Sequence, residues 1–164
     1  MEEYLKALEP VSFRSVALGY EGITLFDGSD ITEQQRGYSI GLSGEDLTGP
    51  NPGDWQREWL VIGIDEICGD PIFIDTSGDD LPVYTAMHGE GEWEPERIAD
   101  SFGSFIAVLE QIRVIAAGRE SPVALEENPL PEAVKEEPLE KIEALNPESS
   151  LEFWELWLDA KEDE

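Results

Sequence analysis

Three short apolar runs, separated by links of only a few residues, constrain this chain more than any other feature. Trp59-Leu60-Val61-Ile62-Gly63, Pro71-Ile72-Phe73-Ile74-Asp75 and Leu81-Pro82-Val83-Tyr84-Thr85-Ala86-Met87 are rich in the β-branched and aromatic residues that suit strands. Glu66 to Asp70, with Gly69, and Thr76-Ser77-Gly78-Asp79-Asp80 read as turns between them. Parallel neighbours need a crossover of a dozen or more residues, so links this short impose an antiparallel meander. Pro71 suits a first strand position. Gly22 to Phe26 and Tyr38 to Gly41 read as further strands.

A helix follows the meander. Phe102, Phe105, Leu109, Ile112 and Ala116 recur at spacings of three and four, one face of an α-helix and therefore core. Asp100 or Ser101 is placed to cap its start, and Gly118 stands where a helix-ending glycine belongs. Residues 119–164 differ from the rest, with 15 acidic and 4 basic residues. Pro122, Pro129, Pro131 and Pro138 give Ser121 to Pro138 the look of an extended connector. Leu139 to Leu145 carries a weaker helix signal, and Ser149-Ser150-Leu151-Glu152 reads as a capping box. The stripe of Leu151, Trp154, Trp157 and Leu158 behind it either docks on the domain or binds a partner.

The 164 residues predict one domain, 1–118, with an appendage, 119–164. The chain sets 38 acidic against 10 basic residues, a net charge of −28. Nucleic acid and anionic membranes both demand a basic surface, which ten scattered cations do not build. Attractive partners are cationic, a basic protein foremost. Cys68 is the lone cysteine, so no internal disulfide forms and no thiolate cluster holds a metal. The acidic start, Met1-Glu2-Glu3-Tyr4-Leu5-Lys6, does not read as a signal peptide, and no apolar run is long enough to span a bilayer. A cytoplasmic location is the expectation.

Motifs that carry chemistry are few. Gly37-Tyr38-Ser39-Ile40-Gly41 matches the G-x-S-x-G nucleophile elbow. The residues after it cannot form the long helix an elbow needs, and the chain lacks a βαβ pattern, so Ser39 is not expected to be catalytic. His88, the only histidine, lacks metal-ligand spacing and reads as a strand-end residue bonded locally. Asp75 to Asp80 resembles part of a calcium loop, with its glycine fourth rather than sixth and Ala86 at the position of the closing glutamate. It reads as a solvated turn. Nothing points to a catalytic residue, a metal or a cofactor.

Along about 48 residues the chain resembles the SUKH superfamily, the Smi/Knr-like proteins. The resemblance rests on Trp59 to Asp65, Gly69 to Asp75, Pro82-Val83-Tyr84, His88-Gly89 and Ile98-Ala99-Asp100-Ser101-Phe102-Gly103-Ser104-Phe105-Ile106. The last segment is the most distinctive. At the N-terminus only Tyr4, Leu5 and Phe13 match the longer acidic helix with which family members open, and no Asn-Gly turn occurs. The resemblance implies an α+β fold: a mostly antiparallel sheet with helices packed against it, extended here by an acidic helical C-terminus. It also implies a role. Bacterial SUKH proteins are chiefly immunity proteins that neutralise toxins, often nucleases, passed between competing cells.

The expectation is therefore a non-enzymatic immunity protein that binds a cognate, basic toxin domain, with no nucleic-acid or membrane partner. The expected contact surface is the acidic strand-end loops: Asp65 and Glu66, Asp79 and Asp80, and Glu90, Glu92 and Glu94 with Trp93. Trp55 and Trp93 are each either an aromatic anchor or core. The alternative is a regulatory protein-interaction module without a toxin, using the Trp154 and Trp157 helix for a partner or a homodimer. Between monomer and homodimer the residues do not choose.

Overall fold

The computed structural model describes residues 1–159; the last five residues of the acidic tail lie outside them. The elements in order are α1 (Glu2–Leu8), β1 (Ser15–Leu18), β2 (Glu21–Leu25), β3 (Trp59–Asp65), β4 (Pro71–Asp75), β5 (Val83–Thr85), β6 (Glu96–Ala99), α2 (Phe102–Ala116), α3 (Pro122–Glu127), α4 (Glu132–Leu145) and α5 (Leu151–Asp159). The six strands form one sheet in chain order, every neighbour antiparallel. This is the α+β architecture expected, with the three-strand meander at its centre.

Two expected elements take other forms. Tyr38 to Gly41 is not a strand: it sits in the long link between β2 and β3 and makes only isolated bridges, Arg36 to Ile40 and Ile40 to Asp46. Ser121 to Pro138 is not an extended connector. Pro122 takes the first turn of α3, where its missing N–H is no loss, behind a Ser121 cap that accepts the Ala124 amide at 3.1 Å. Pro138 lies inside α4. The remaining pieces, β1 and β6, are short and open on small or charged residues, so their patterns do not stand out in the sequence.

One sheet face carries the main core. The α2 stripe of Phe102, Phe105, Val108, Leu109, Ile112 and Ala116 is buried against it. Each such large side chain removed from water contributes about 1.5–3 kcal/mol. Ser101 caps α2 reciprocally with Ser104, and Gly118, at φ 81°, follows its end. Tyr4 fixes α1: its ring lies edge-on to Phe102 at 5.3 Å, and its hydroxyl donates to the Phe26 carbonyl at 3.0 Å. On the other face Trp55, Val61, Phe73 and Ala86 form a smaller core, with Tyr38, Trp59, Tyr84 and Trp93 packed around it.

The tail joins the main core. Trp154, Trp157, Leu158 and Ile142 are buried with the α2 stripe. Ser149 Oγ donates to the Asp100 carboxylate, while the α5 cap is its neighbour Ser150, whose hydroxyl accepts the Phe153 amide at 3.3 Å. Buried Lys135 on α4 bridges Glu132 and Asp159, tying α4 to the end of α5.

Candidate functional site

In an antiparallel meander alternate links share one end of the sheet. The β3–β4 turn, 66–70, and the β5–β6 loop, 86–95, therefore lie together, and the β4–β5 link, 76–82, lies at the opposite end. This parity divides the eight residues expected to form one surface. Asp65, Glu90, Glu92 and Glu94 line one groove. Asp79 and Asp80 line another, against Pro10, Val11, Phe102 and Ile106. Glu66 is exposed in the β3–β4 turn, outside both linings.

Asp65, among the groove residues, and Trp93, the eighth, have structural tasks. Asp65 is only 5% exposed, and its Oδ1 accepts the amides of Ile67 at 2.9 Å and Cys68 at 3.2 Å, closing the turn. Trp93 is half-buried, 5.2 Å from the Trp55 ring and 5.6 Å from Tyr38, with its amide bonded to the Gly53 carbonyl at 2.9 Å. It pins the β5–β6 loop to the second core. Trp55, 1% exposed, is core.

The groove at the first end encloses about 520 Å³, within the roughly 300–1,000 Å³ of sites that take a ligand or a few side chains. Its lining holds six carboxylates, Asp65, Asp70, Glu90, Glu92, Glu94 and Glu96, and among the described residues neither lysine nor arginine. Ala86, Met87 and Phe153 supply apolar surface. Among the described residues no three of His, Cys, Asp and Glu converge on a metal position. Asp70 orients the loop: its Oδ1 receives the His88 amide at 3.1 Å and lies 2.7 Å from His88 Nδ1.

Electrostatics at this end are those of crowded, partly dehydrated acids. Burial, then the neighbouring Asp65, raises the Glu21 carboxyl to about 7. Burial and Asp65 likewise push the Cys68 thiol up to about 12. Both shifts arise first from burial and then from the Asp65 charge, and both disfavour a further negative charge beside Asp65.

Sequence reading missed Asp70, Glu96, Met87 and Phe153 as parts of one groove. Strand parity was the available signal for the first three. Phe153 comes from the tail, and only the packing of α5 reveals it. Ser39 sits in the β2–β3 link, not on a strand-to-helix turn, and its shallow pocket holds Asp46, Thr48 and Arg57 but no histidine.

The profile of the SMI1 / KNR4 family (SUKH-1) matches residues 6–108. The chain belongs to this family. No curated protein and no solved structure matches it. The SUKH-1 match takes in all six strands and the first half of α2, and α3, α4 and α5 lie beyond it. One groove wall, Phe153, thus comes from outside the matched stretch of this SUKH-1 chain. No helix among the described residues is long and apolar enough to cross a membrane.

Proposed function

We propose that this SUKH-1 chain is a non-enzymatic, cytoplasmic immunity protein that binds and neutralises a cognate toxin domain. The supporting observation is the groove of six carboxylates, with no lysine or arginine among the described residues of its lining, at one end of the sheet of a chain with net charge −28. Such a surface attracts a basic partner at long range and rewards it at contact. A nuclease fits best, because its substrate groove is basic. In this reading residues 1–118 are the binding module and 119–164 an extension, whose described part, to residue 159, packs on it.

Its contact surface in this reading is the β3–β4 and β5–β6 end, with Glu66, Glu90, Glu92 and Glu94 facing the toxin. Asp79 and Asp80 belong to the far end and contribute only long-range attraction. The regulatory alternative loses its proposed contacts, since Trp154 and Trp157 are 0% and 3% exposed.

The test is co-expression with the product of the gene immediately upstream, scored for growth rescue and co-purification. Rescue with a stable complex is the expected outcome. Full toxicity with no complex overturns the reading.

A further inference from the structure

The groove between the β5–β6 loop and α5 is more than an acidic patch. Met87 is 63% exposed and lines this groove among its carboxylates. Phe153, half-buried, stands edge-on to Trp154 at 4.9 Å and lines the same groove. Around this apolar strip stand Glu90, Glu94 and Glu96, all exposed and none in an ion pair among the described residues. Apolar surface invites a hydrophobic side chain. The unpaired carboxylates beside it repel an acidic partner and complement a basic one.

From this juxtaposition we infer that the groove seats an amphipathic basic segment of a partner protein. An apolar side chain of that segment packs on Met87 and Phe153, and flanking lysines or arginines meet Glu90, Glu94 and Glu96. The inference rests on the partner-binding reading above and narrows it to one groove and one occupant chemistry. It also gives the tail a role: α5 supplies a wall of the site while its tryptophans stay in the core.

The far groove, with Asp79 and Asp80, is a weaker candidate for the same segment. Its apolar floor is made from α1, α2 and the α1–β1 link, and Asp79, Asp80 and Glu110 are the only carboxylates in its lining among the described residues.

The test uses the full chain and two labelled peptides of equal charge, one alternating lysine with leucine and one alternating lysine with serine. Binding is read by fluorescence anisotropy. One variant, Glu90→Gln with Glu94→Gln and Glu96→Gln, removes three charges from the groove. A control, Glu136→Gln with Glu140→Gln and Glu143→Gln, removes three exposed charges from α4. A third variant, Met87→Asp, spoils the apolar strip.

The wild-type protein is expected to prefer the lysine–leucine peptide. The groove triple variant should weaken that peptide about tenfold, from three modest pair interactions, and the α4 control less than about twofold. Met87→Asp should abolish the preference for leucine over serine. Equal weakening by the two triple variants, or no effect of Met87→Asp, overturns the inference. In the co-expression assay, rescue that survives the groove variants sinks this inference and leaves the immunity reading standing. Groove-dependent peptide binding without any rescue does the reverse.

Discussion

The Trp154 indole Nε1 donates to the Ile98 carbonyl at 2.8 Å, joining the tail to the last strand of the sheet. The outer edge of β6 is thereby covered: the Ser150 amide also bonds the Arg97 carbonyl at 2.8 Å. An open strand edge is a template for unwanted pairing, and here the tail closes it. Trp154 is 0% exposed and packs 6.2 Å from Phe105. Trp154→Ala is therefore expected to cost about 3–5 kcal/mol, through a cavity and an orphaned carbonyl. Urea denaturation checks this, and a loss below about 1 kcal/mol would show that the tail is not part of the folded core.

Asn146 is the second tie. It is 3% exposed; its Oδ1 accepts the Asp100 amide at 2.9 Å and the Ser104 hydroxyl at 2.6 Å, and its Nδ2 donates to Ile142 at 3.0 Å. Three bonds converge where β6, α2 and α4 meet. Asn146→Leu keeps the size and removes all three, leaving a backbone N–H without its partner. The expected loss is about 2–3 kcal/mol, read as a lower denaturation midpoint at unchanged slope.

The sheet was legible because its central strands are continuous apolar runs with short links, which leaves antiparallel pairing as the only geometry. The α2 helix was legible because its stripe runs unbroken from Phe102 to Ala116. The second half of α4 was legible as the helix signal of Leu139 to Leu145; α3 and the first half of α4 were not, because proline usually breaks a helix, whereas Pro122 begins one here and Pro138 is carried inside another. The acids of the candidate site were individually visible. Their grouping was not: exposed carboxylates carry no periodicity, and only the order of the strands sets Glu90 with Asp70 and apart from Asp80. Phe153 was hidden for a different reason, since the docking of one amphipathic helix depends on a surface built by residues fifty positions earlier.

Glu21 makes stability depend on pH in a direction opposite to a salt-bridged acid. Its folded value of about 7 lies above the ordinary 4.5, so the folded state holds a proton the unfolded state has released. Stability from this group is complete below pH 4.5 and is lost as pH rises through 7. Allowing for its partial exposure, the loss is about 1 kcal/mol. Glu21→Gln mimics the protonated form. Its stability should equal the wild type near pH 4 and exceed it by that amount at pH 8, as measured by thermal denaturation at the two pH values.

Cys68 is exposed yet chemically quiet. Although the residue is exposed, partial burial of its thiol and then the nearby Asp65 carboxylate push the thiol up to about 12, and the thiolate is the reactive form. Iodoacetamide at pH 8 should modify it at least about tenfold more slowly than free cysteine. Mass spectrometry over a time course measures the rate, and modification as fast as the free amino acid would overturn the assignment.

Gly63 is the more tightly approached of the two glycines within the strands. The β3–β4 register shifts between Val61 and Gly63, and a Cβ added at Gly63 would lie 2.4 Å from the Thr24 carbonyl oxygen of β2. That oxygen belongs to the backbone of a central ladder, so it cannot move without parting β2 from β3. Gln35 braces the same bulge, its Nε2 donating to the Val61 carbonyl at 2.8 Å and its Oε1 accepting the Val61 amide at 2.9 Å. Gly63→Ala is expected to cost at least about 2 kcal/mol, a strain penalty in the upper range for single substitutions. Gly78→Ala is the matched control: open space surrounds the position, and the change should stay within about 0.5 kcal/mol. Equal denaturation midpoints for the two variants would mean that β2 and β3 can separate at low cost, and that the close approach at Gly63 does not hold the sheet in register.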